Sequence, residues 1–503
     1  MLVLDIPLFQ LDYGSGLARF VTALRIQTVT SKAMTWKAMA TKSTTRARPS
    51  TLDEETATIA SRVASRPSIT TVQQTFTTSA MPMLRKVASV VAPPALDILN
   101  DLPVIRRYRD LLASAAVTSS HECPKVYIYK LPSDWVCTKF RKRNCPSQRE
   151  DLRTVKTSPI QLITPKRLTV AIVGRITRSK QCFTADPAQA QLFFIPWFPD
   201  LFTTGVWTST CTEVMQRHTP SDFMRQLPHL NASTASRHFM AVGKSVTAAS
   251  KCAGIWGNPV GLFAKVARLS VGVIIPNDTE IIDAVRTQDE PDRVRSSWPR
   301  KHNRVPRHYQ MPYPTEISWS RRLNVTKPWA SSRHRDVLVS FVGQTTHGDV
   351  AVRRKIGRLC AGKAEGLRCI PFRPGAAFKL KSRTVFCLEP VGDVVNRKSV
   401  VDSIVSGCVP VFFGIAQVFQ YPVQWREWHS SAYVAINRTR FILNELDLLQ
   451  TLRRIPVSDV RRMQERIAEF GGRFQFSMDD DPDVEDAVLV ILRQLWSDAV
   501  QQL

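Results

Sequence analysis

The chain has 503 residues, more than one ordinary core accommodates, which points to two domains and a tail. At 44% hydrophobic and 22% charged its bulk is globular, and the absence of an uninterrupted apolar run of about 18 residues excludes a visible transmembrane helix. A formal charge of +27 asks for an anionic partner: nucleic acid, acidic polysaccharide, nucleotide-sugar phosphates or an anionic membrane face.

Residues 1–120 are rich in Ser, Thr and Ala with weak periodicity, and read as a low-complexity, disordered leader with a helix near Ala95–Ala115. Residues 18–52 are basic and free of acids, which suits either a transit peptide or a disordered leader. From residue 125 short apolar runs begin: VYIYKL (126–131), LTVAIVG (168–174), QLFFIPW (191–197), HFMAVG (238–243) and VGVIIP (271–276). Continuous apolar runs, rather than alternation, suit parallel strands buried on both faces. Residues 285–335 are rich in Pro, Arg and Ser and read as a linker. A second set follows, with strands predicted at 336–343, 384–390, 409–414 and 432–437. Helices are predicted at 352–362, 399–407 and 457–470, the last with Val460, Met463, Ile467 and Phe470 on one face. A final helix is expected to start at Asp481-Pro482 and run to about Trp496. The expected class is α/β: a leader (1–120), an N-terminal Rossmann-like domain with linker (121–330) and a C-terminal Rossmann-like domain with closing helices (331–503), the two facing a cleft.

The Lys and Arg residues have no single address. Their longest cluster is at 139–143, and no C2H2 spacing, RNP-type aromatic motif or basic-leucine heptad accompanies them, so no nucleic-acid partner is expected. The ten cysteines, none before residue 123, show no C-x-x-C pair, which speaks against zinc. Together with sequons at Asn231, Asn277, Asn324 and Asn437 they suit a secretory-pathway lumen. The acidic run at 479–483 has the look of a D-x-D metal motif, but its place before the last helix suits an acidic helix start better, and no metal site is expected.

The chemistry concentrates in residues 384–414, TVFCLEPVGDVVNRKSVVDSIVSGCVPVFFG. This stretch reads as strand, loop, helix and strand. A nucleoside diphosphate needs backbone N–H groups, a positive helix end and cationic side chains. Gly392 permits close backbone approach, Arg397 and Lys398 stand at the helix start, and Asp402, one turn in, could hold ribose or sugar hydroxyls. The same residues also fit a purely structural reading, in which Ser399 and Asp402 form a capping box and Arg397 pairs with Asp393.

The stretch resembles the exostosin-type glycosyltransferases, in particular the plant xyloglucan galactosyltransferase-like branch, whose pattern runs close to FCLQPPGDSxTRRSxFDSILAGCIPVFF. Phe386, Cys387, Leu388, Pro390, Gly392, Asp393, Arg397, Ser399, Asp402, Ser403, Gly407 and Cys408 match without a gap. Weaker similarities, among them TADPAQAQLFFIPWF (184–198), HFMAVG, MPYP (311–314) and FVG (341–343), extend it over about 123–475. Three departures fall in the N-terminal half: Arg237 where the family has Asp, no acidic pair in GKSVTAAS, and Phe198 for Tyr.

The resemblance implies a GT-B-type fold and an inverting, metal-independent transfer from a UDP-sugar, the donor substrate, to a glycan acceptor, with no further cofactor. Gly343, Gly392, Asp393, Arg397, Lys398, Ser399 and Asp402 would hold the donor, and His238 is the candidate base, with a structural histidine as the alternative. It further implies a Golgi-lumenal, membrane-associated protein. The charge suggests an acidic acceptor, and a homo- or hetero-oligomer is an open possibility. The alternatives are a non-catalytic polysaccharide binder or pseudoenzyme partner, and a basic nucleic-acid binder.

Overall fold

A computed structural model describes residues 102–114, 122–131, 168–196, 220–242, 261–271 and 279–287, and 307–501 except 316–317, 322–325, 332, 393, 427–431, 478–479 and 482–483. Nearly all of the expected leader, the cluster at 139–143, Phe198, Asn277, Asn324 and Asp393 lie outside these residues.

Helix α1 (Pro103–Ser114) comes first, within the span expected to hold a helix. The first sheet is wholly parallel in the order β2-β1-β3-β4-β5-β6. Its strands are β1 (Val126–Ile128), β2 (Phe183–Thr184), β3 (Leu192–Ile195), β4 (His238–Val242), β5 (Ala267–Ser270) and β6 (His308–Gln310). The second, also parallel, has the order β11-β10-β9-β7-β8. It comprises β7 (Val337–Val342), β8 (Leu367–Ile370), β9 (Thr384–Leu388), β10 (Val409–Phe412) and β11 (Val434–Ala435). Five helices matter below: α2 (Leu168–Arg178), α3 (Val350–Ala361), α4 (Pro374–Lys381), α5 (Lys398–Val405) and α6 (Val457–Phe470). A last one, α7, spans Ala487–Val500. Two parallel α/β halves are the architecture expected of a GT-B-type chain.

Several expectations are corrected. The run LTVAIVG is helix α2, not a strand. A fully apolar stretch of this length carries no period that separates the two, and here nine consecutive residues, Leu168 to Ile176, are buried. Strand β5 lies just upstream of VGVIIP, and the expected linker contains β6. Strands β2 and β8 were not expected. Helix α7 is capped by Asp486, whose carboxylate accepts from the Val488 and Leu489 amides, so it starts five residues after Asp481-Pro482 and ends beyond Trp496.

Two cores result, and each contains a helix from the far end of the chain. The first core packs β1, β3, β4 and β5 with Ile172 and Ile176 of α2 and with Val488, Ile491, Leu492 and Leu495 of α7. The second packs β7, β9 and β10 with Val400, Val401 and Ile404 of α5 and with Ile105, Tyr108 and Leu112 of α1. Thus a helix read with the leader sits in the C-terminal core, and one read with the C-terminal domain sits in the N-terminal core. On α6, Ile467 is fully buried while Val460, Met463 and Phe470 pack partly buried against the second core, one face as the spacing predicts.

Candidate active site at the carboxyl edge of the second sheet

In the second sheet β7 pairs with β8 on one side and β9 on the other, so the strand order reverses between β7 and β9. In open α/β sheets ligands bind outside the carboxyl ends of strands at such a reversal, because the two outgoing connections leave on opposite faces and open a crevice. A cavity of about 580 Å³ lies there. Its walls come from the end of β7 (Phe341, Val342, Gly343), the residues after β8 (Pro371, Phe372), the end of β9 (Leu388, Glu389, Pro390) and the start of α5 (Arg397, Lys398, Ser399). Tyr313, which follows β6 of the first sheet, closes one side. Of the residues proposed to hold a donor, Gly343, Arg397, Lys398 and Ser399 therefore meet in one cavity.

The start of α5 is open. Its N-cap residue, Arg397, makes no side-chain cap, so the positive end of the helix is not closed by its own N-cap side chain. The Arg397 carbonyl accepts from the Val400 amide (3.1 Å), while its side chain makes no hydrogen bond or ion pair with a described residue. Its guanidinium lies against the Cα of Gly392, where any Cβ would overlap it. Gly392 thus serves close approach, as the sequence suggested, but what approaches it is Arg397. The backbone of Gly392 and Val391 is in turn packed against Gly348, which adopts φ +78° and where a Cβ would strike Val391 O. Arg353 on α3, buried, fastens the same loops by donating to Val391 O (3.0 Å), Pro390 O (2.8 Å) and Gln344 O (2.7 Å).

Ser399 and Asp402 do not form a capping box. Asp402 is nearly buried and accepts from Lys398 Nζ at 2.8 Å on each oxygen and from Thr315 Oγ1 at 2.9 Å. The Lys398–Asp402 pair is an i,i+4 ion pair. Ser399 belongs to a different cluster. Lys381, the last residue of α4, is buried and donates to Glu389 Oε1 (2.7 Å), Ser399 O (2.7 Å), Ser399 Oγ (2.8 Å) and Ser403 Oγ (2.7 Å). Ser403 Oγ and Ser399 Oγ also donate to Glu389 Oε1, at 2.6 and 3.1 Å. This buried ion pair ties α4, β9 and α5 together beneath the cavity. Sequence reading missed it. Glu389 stood inside the motif, but its partner is eight residues away on another element.

The first half meets this region through residues at or just beyond the carboxyl ends of its strands. Asn396 Nδ2 donates to Val271 O after β5. The Tyr421 amide donates to Gln310 Oε1 at the end of β6 (2.8 Å), and Thr315 reaches Asp402. Tyr421 itself holds a left-handed backbone (φ 53°, ψ 52°), unusual for a bulky residue. Burial pushes the Tyr313 phenol up to about 12, so it faces the cavity as a neutral hydroxyl.

His238 is elsewhere. It is the first residue of β4, at the amino edge of the first sheet, and is completely buried. Its Nε2 meets Tyr129 Oη at 2.8 Å, its Nδ1 meets Thr234 O at 2.8 Å, and its ring stacks on Phe193 with centroids 4.6 Å apart. Burial pulls its pKa down to about 4. A base needs a free nitrogen beside the acceptor hydroxyl, and both nitrogens are engaged, so the placement fits the structural alternative. The departure at Arg237 is likewise absorbed by packing: the guanidinium lies over Phe193 and Trp496 and donates to Gln191 O at 2.7 Å. The acidic run at 479–483 is structural where it is described. Asp480 pairs with Arg175 (2.5 Å) and accepts from the Lys180 amide, and Asp481 accepts from the Arg321 amide (2.6 Å).

Among the described residues three disulfides occur, Cys123–Cys182, Cys360–Cys369 and Cys387–Cys408. The last joins β9 to the residue before β10 and closes the loop that carries the cavity wall and α5. No helix among the described residues is long and apolar enough to cross a membrane.

The chain is 24% identical to Xyloglucan galactosyltransferase XLT2 of Arabidopsis thaliana over 306 residues, 58% of this chain and 54% of that protein. It is 22% identical to Probable xyloglucan galactosyltransferase GT17 over 63% of this chain and 68% of that one, and 32% identical to Probable xyloglucan galactosyltransferase GT12 over 26% and 28%, both from the same plant. The chain thus spans about half the length of the first of these relatives. Similar solved structures include the pneumococcal O-GlcNAc transferase GtfA in complex with UDP and GlcNAc (10% identity, 50% of this chain and 56% of that one, TM-score 0.27). An alpha-glucosyltransferase in complex with UDP-glucose and DNA containing an abasic site is also similar (11%, 57% and 77%, TM-score 0.30). Residues 120–443 match the exostosin GT47 domain, and the chain belongs to the exostosin GT47 family.

Proposed function

We propose that this chain transfers a sugar from a UDP-sugar to a glycan acceptor, with inversion and without a metal, in the lumen of the Golgi in association with the membrane. The observation that supports it best is the cavity at the β7/β9 reversal, where an uncapped helix start and two cations, Arg397 and Lys398, converge. When the glycosidic bond to the diphosphate breaks, negative charge builds on the leaving phosphate. Fixed N–H dipoles and the Arg397 guanidinium stabilise that charge more than they stabilise the ground state, which lowers the barrier. Lys398 contributes while anchored to Asp402. Asp402, which does not line the cavity itself, is proposed to act through Lys398, whose ammonium it holds in place. Gly343, at the end of β7, keeps the cavity wall thin, and Asp393, in the sequence between β9 and α5, is proposed as a further donor residue. Three disulfides suit an oxidising lumen.

Calorimetric titration with UDP and a panel of UDP-sugars, with and without Mn2+, tests this reading. Micromolar, metal-independent binding that Arg397→Ala abolishes supports it. A folded protein that binds no UDP overturns it.

One observation favours a second reading, a donor-binding relative that does not transfer. His238 is sealed at the wrong edge of the first sheet. UDP release in the presence of xyloglucan or acidic oligosaccharides separates the two readings.

A further inference from the structure

Glu389 is the one carboxylate among the described residues that line the cavity. Among the described residues its Oε1 takes every hydrogen bond its side chain makes, from Lys381, Ser399 and Ser403. Its Oε2 takes none from a described residue and is not among the buried atoms sealed without a partner. The main chain is pinned as well: the Glu389 amide donates to Val411 O (2.9 Å), and Gln417 Nε2 donates to Glu389 O (2.6 Å). The side chain therefore has one oxygen locked in a buried ion pair and one left over, on a carboxylate that lines the cavity and cannot swing away. An ionised carboxylate only accepts hydrogen bonds, so the group it meets must be a donor. Diphosphate oxygens are acceptors and do not qualify. A hydroxyl of the sugar carried on the diphosphate does. Lys381 beneath it offsets the charge that would otherwise repel the phosphates gathered at the start of the same helix.

We propose that Glu389 is a donor-sugar contact, its Oε2 accepting a hydrogen bond from a hydroxyl of the transferred sugar, with Lys381 as the residue that positions it. This rests on the donor-site reading above and goes further, since it assigns a residue that senses the sugar rather than the nucleotide. The bond is charge-assisted and stronger than a Gln carbonyl would make.

The test titrates the full-length protein with UDP and with UDP-galactose. Lys381→Met/Glu389→Leu removes the acceptor without leaving one charge buried alone. Its affinity for UDP-galactose is expected to fall about tenfold or more, the range of a lost charge-assisted hydrogen bond, while UDP changes less than about twofold. Lys381→Gln/Glu389→Gln keeps a neutral acceptor and is expected to lose only about threefold for UDP-galactose. It decides the matter alone if the apolar pair does not fold. Parallel losses for UDP and UDP-galactose, or no loss for either, would overturn the proposal and leave the ion pair a structural tie. A wild-type protein that binds no UDP would overturn the donor site itself, and this contact with it.

Discussion

Arg397 and Asp402 were both read as donor residues, and their surroundings now assign them different consequences. The Arg397 side chain bonds to no described residue, so Arg397→Ala should cost little stability. If it holds phosphate, UDP affinity should drop about tenfold or more, the loss expected for a charge-assisted bond. Calorimetry and a melting curve on the same sample check both halves of that expectation. Asp402 is nearly buried between Lys398 and Thr315, so Asp402→Ala should lower the melting temperature as well as affinity. His238 gives a prediction of opposite kind. Its folded pKa is about 4 against an ordinary 6.5, so the unfolded chain binds the proton more readily. The stabilisation it contributes is complete above pH 6.5 and is lost as pH falls toward 4. His238→Gln should flatten part of that decline in melting temperature. If instead it removes an inflection in the transfer rate and leaves stability alone, the histidine is a base. At this scale the sequence was readable where one loop carries the chemistry, as with Arg397 and Lys398. It was unreadable where two elements share it, as with Lys381 and Glu389, or where depth decides, as with His238.

Elements were legible in proportion to their period. Helix α6 was expected at 457–470 and spans Val457–Phe470, because an amphipathic surface helix has a face that its spacing declares. Strands β7, β9 and β10 declared themselves by Val and Phe runs bounded by Gly or Pro. Helix α2 has no polar face to declare, and Arg175 within it pairs with Asp480 and Asp486, some three hundred residues on. The motif unit has a tie of its own in Cys387–Cys408, which closes a loop of 21 residues around the cavity wall. Cys387→Ser/Cys408→Ser should destabilise the protein by about 3 kcal/mol on the chain-entropy argument. Comparison of denaturant midpoints for oxidised wild type and the variant checks this, and an equal midpoint would show that the tertiary contacts alone hold the loop.

Taken whole, the molecule is two α/β halves, as the alternation of apolar runs and amphipathic stretches implied. Which terminal helix serves which half was hidden, since α1 and α7 have apolar faces that fit either core. Each half borrows from beyond its own span: α7 completes the first core and α1 the second. Fragments 121–330 and 331–503 should therefore not fold separately. The intact chain should melt in one transition, and a shortened chain used for binding should start before residue 102. Circular dichroism of the fragments checks this, and two independently folded halves would refute it.

The exchange of terminal helices bears on how the protein is made. Chains generally fold domain by domain as they leave the ribosome, amino-terminal part first. Here the amino-terminal sheet lacks the apolar face of α7 until residues 487–500 emerge, so its core stays open until then. The nascent chain must remain soluble with β1, β3 and β4 exposed on one side, and disulfides such as Cys123–Cys182 have that entire interval in which to form or mispair. Its yield should accordingly depend on chaperones and on thiol–disulfide isomerisation more than on the stability of the finished fold.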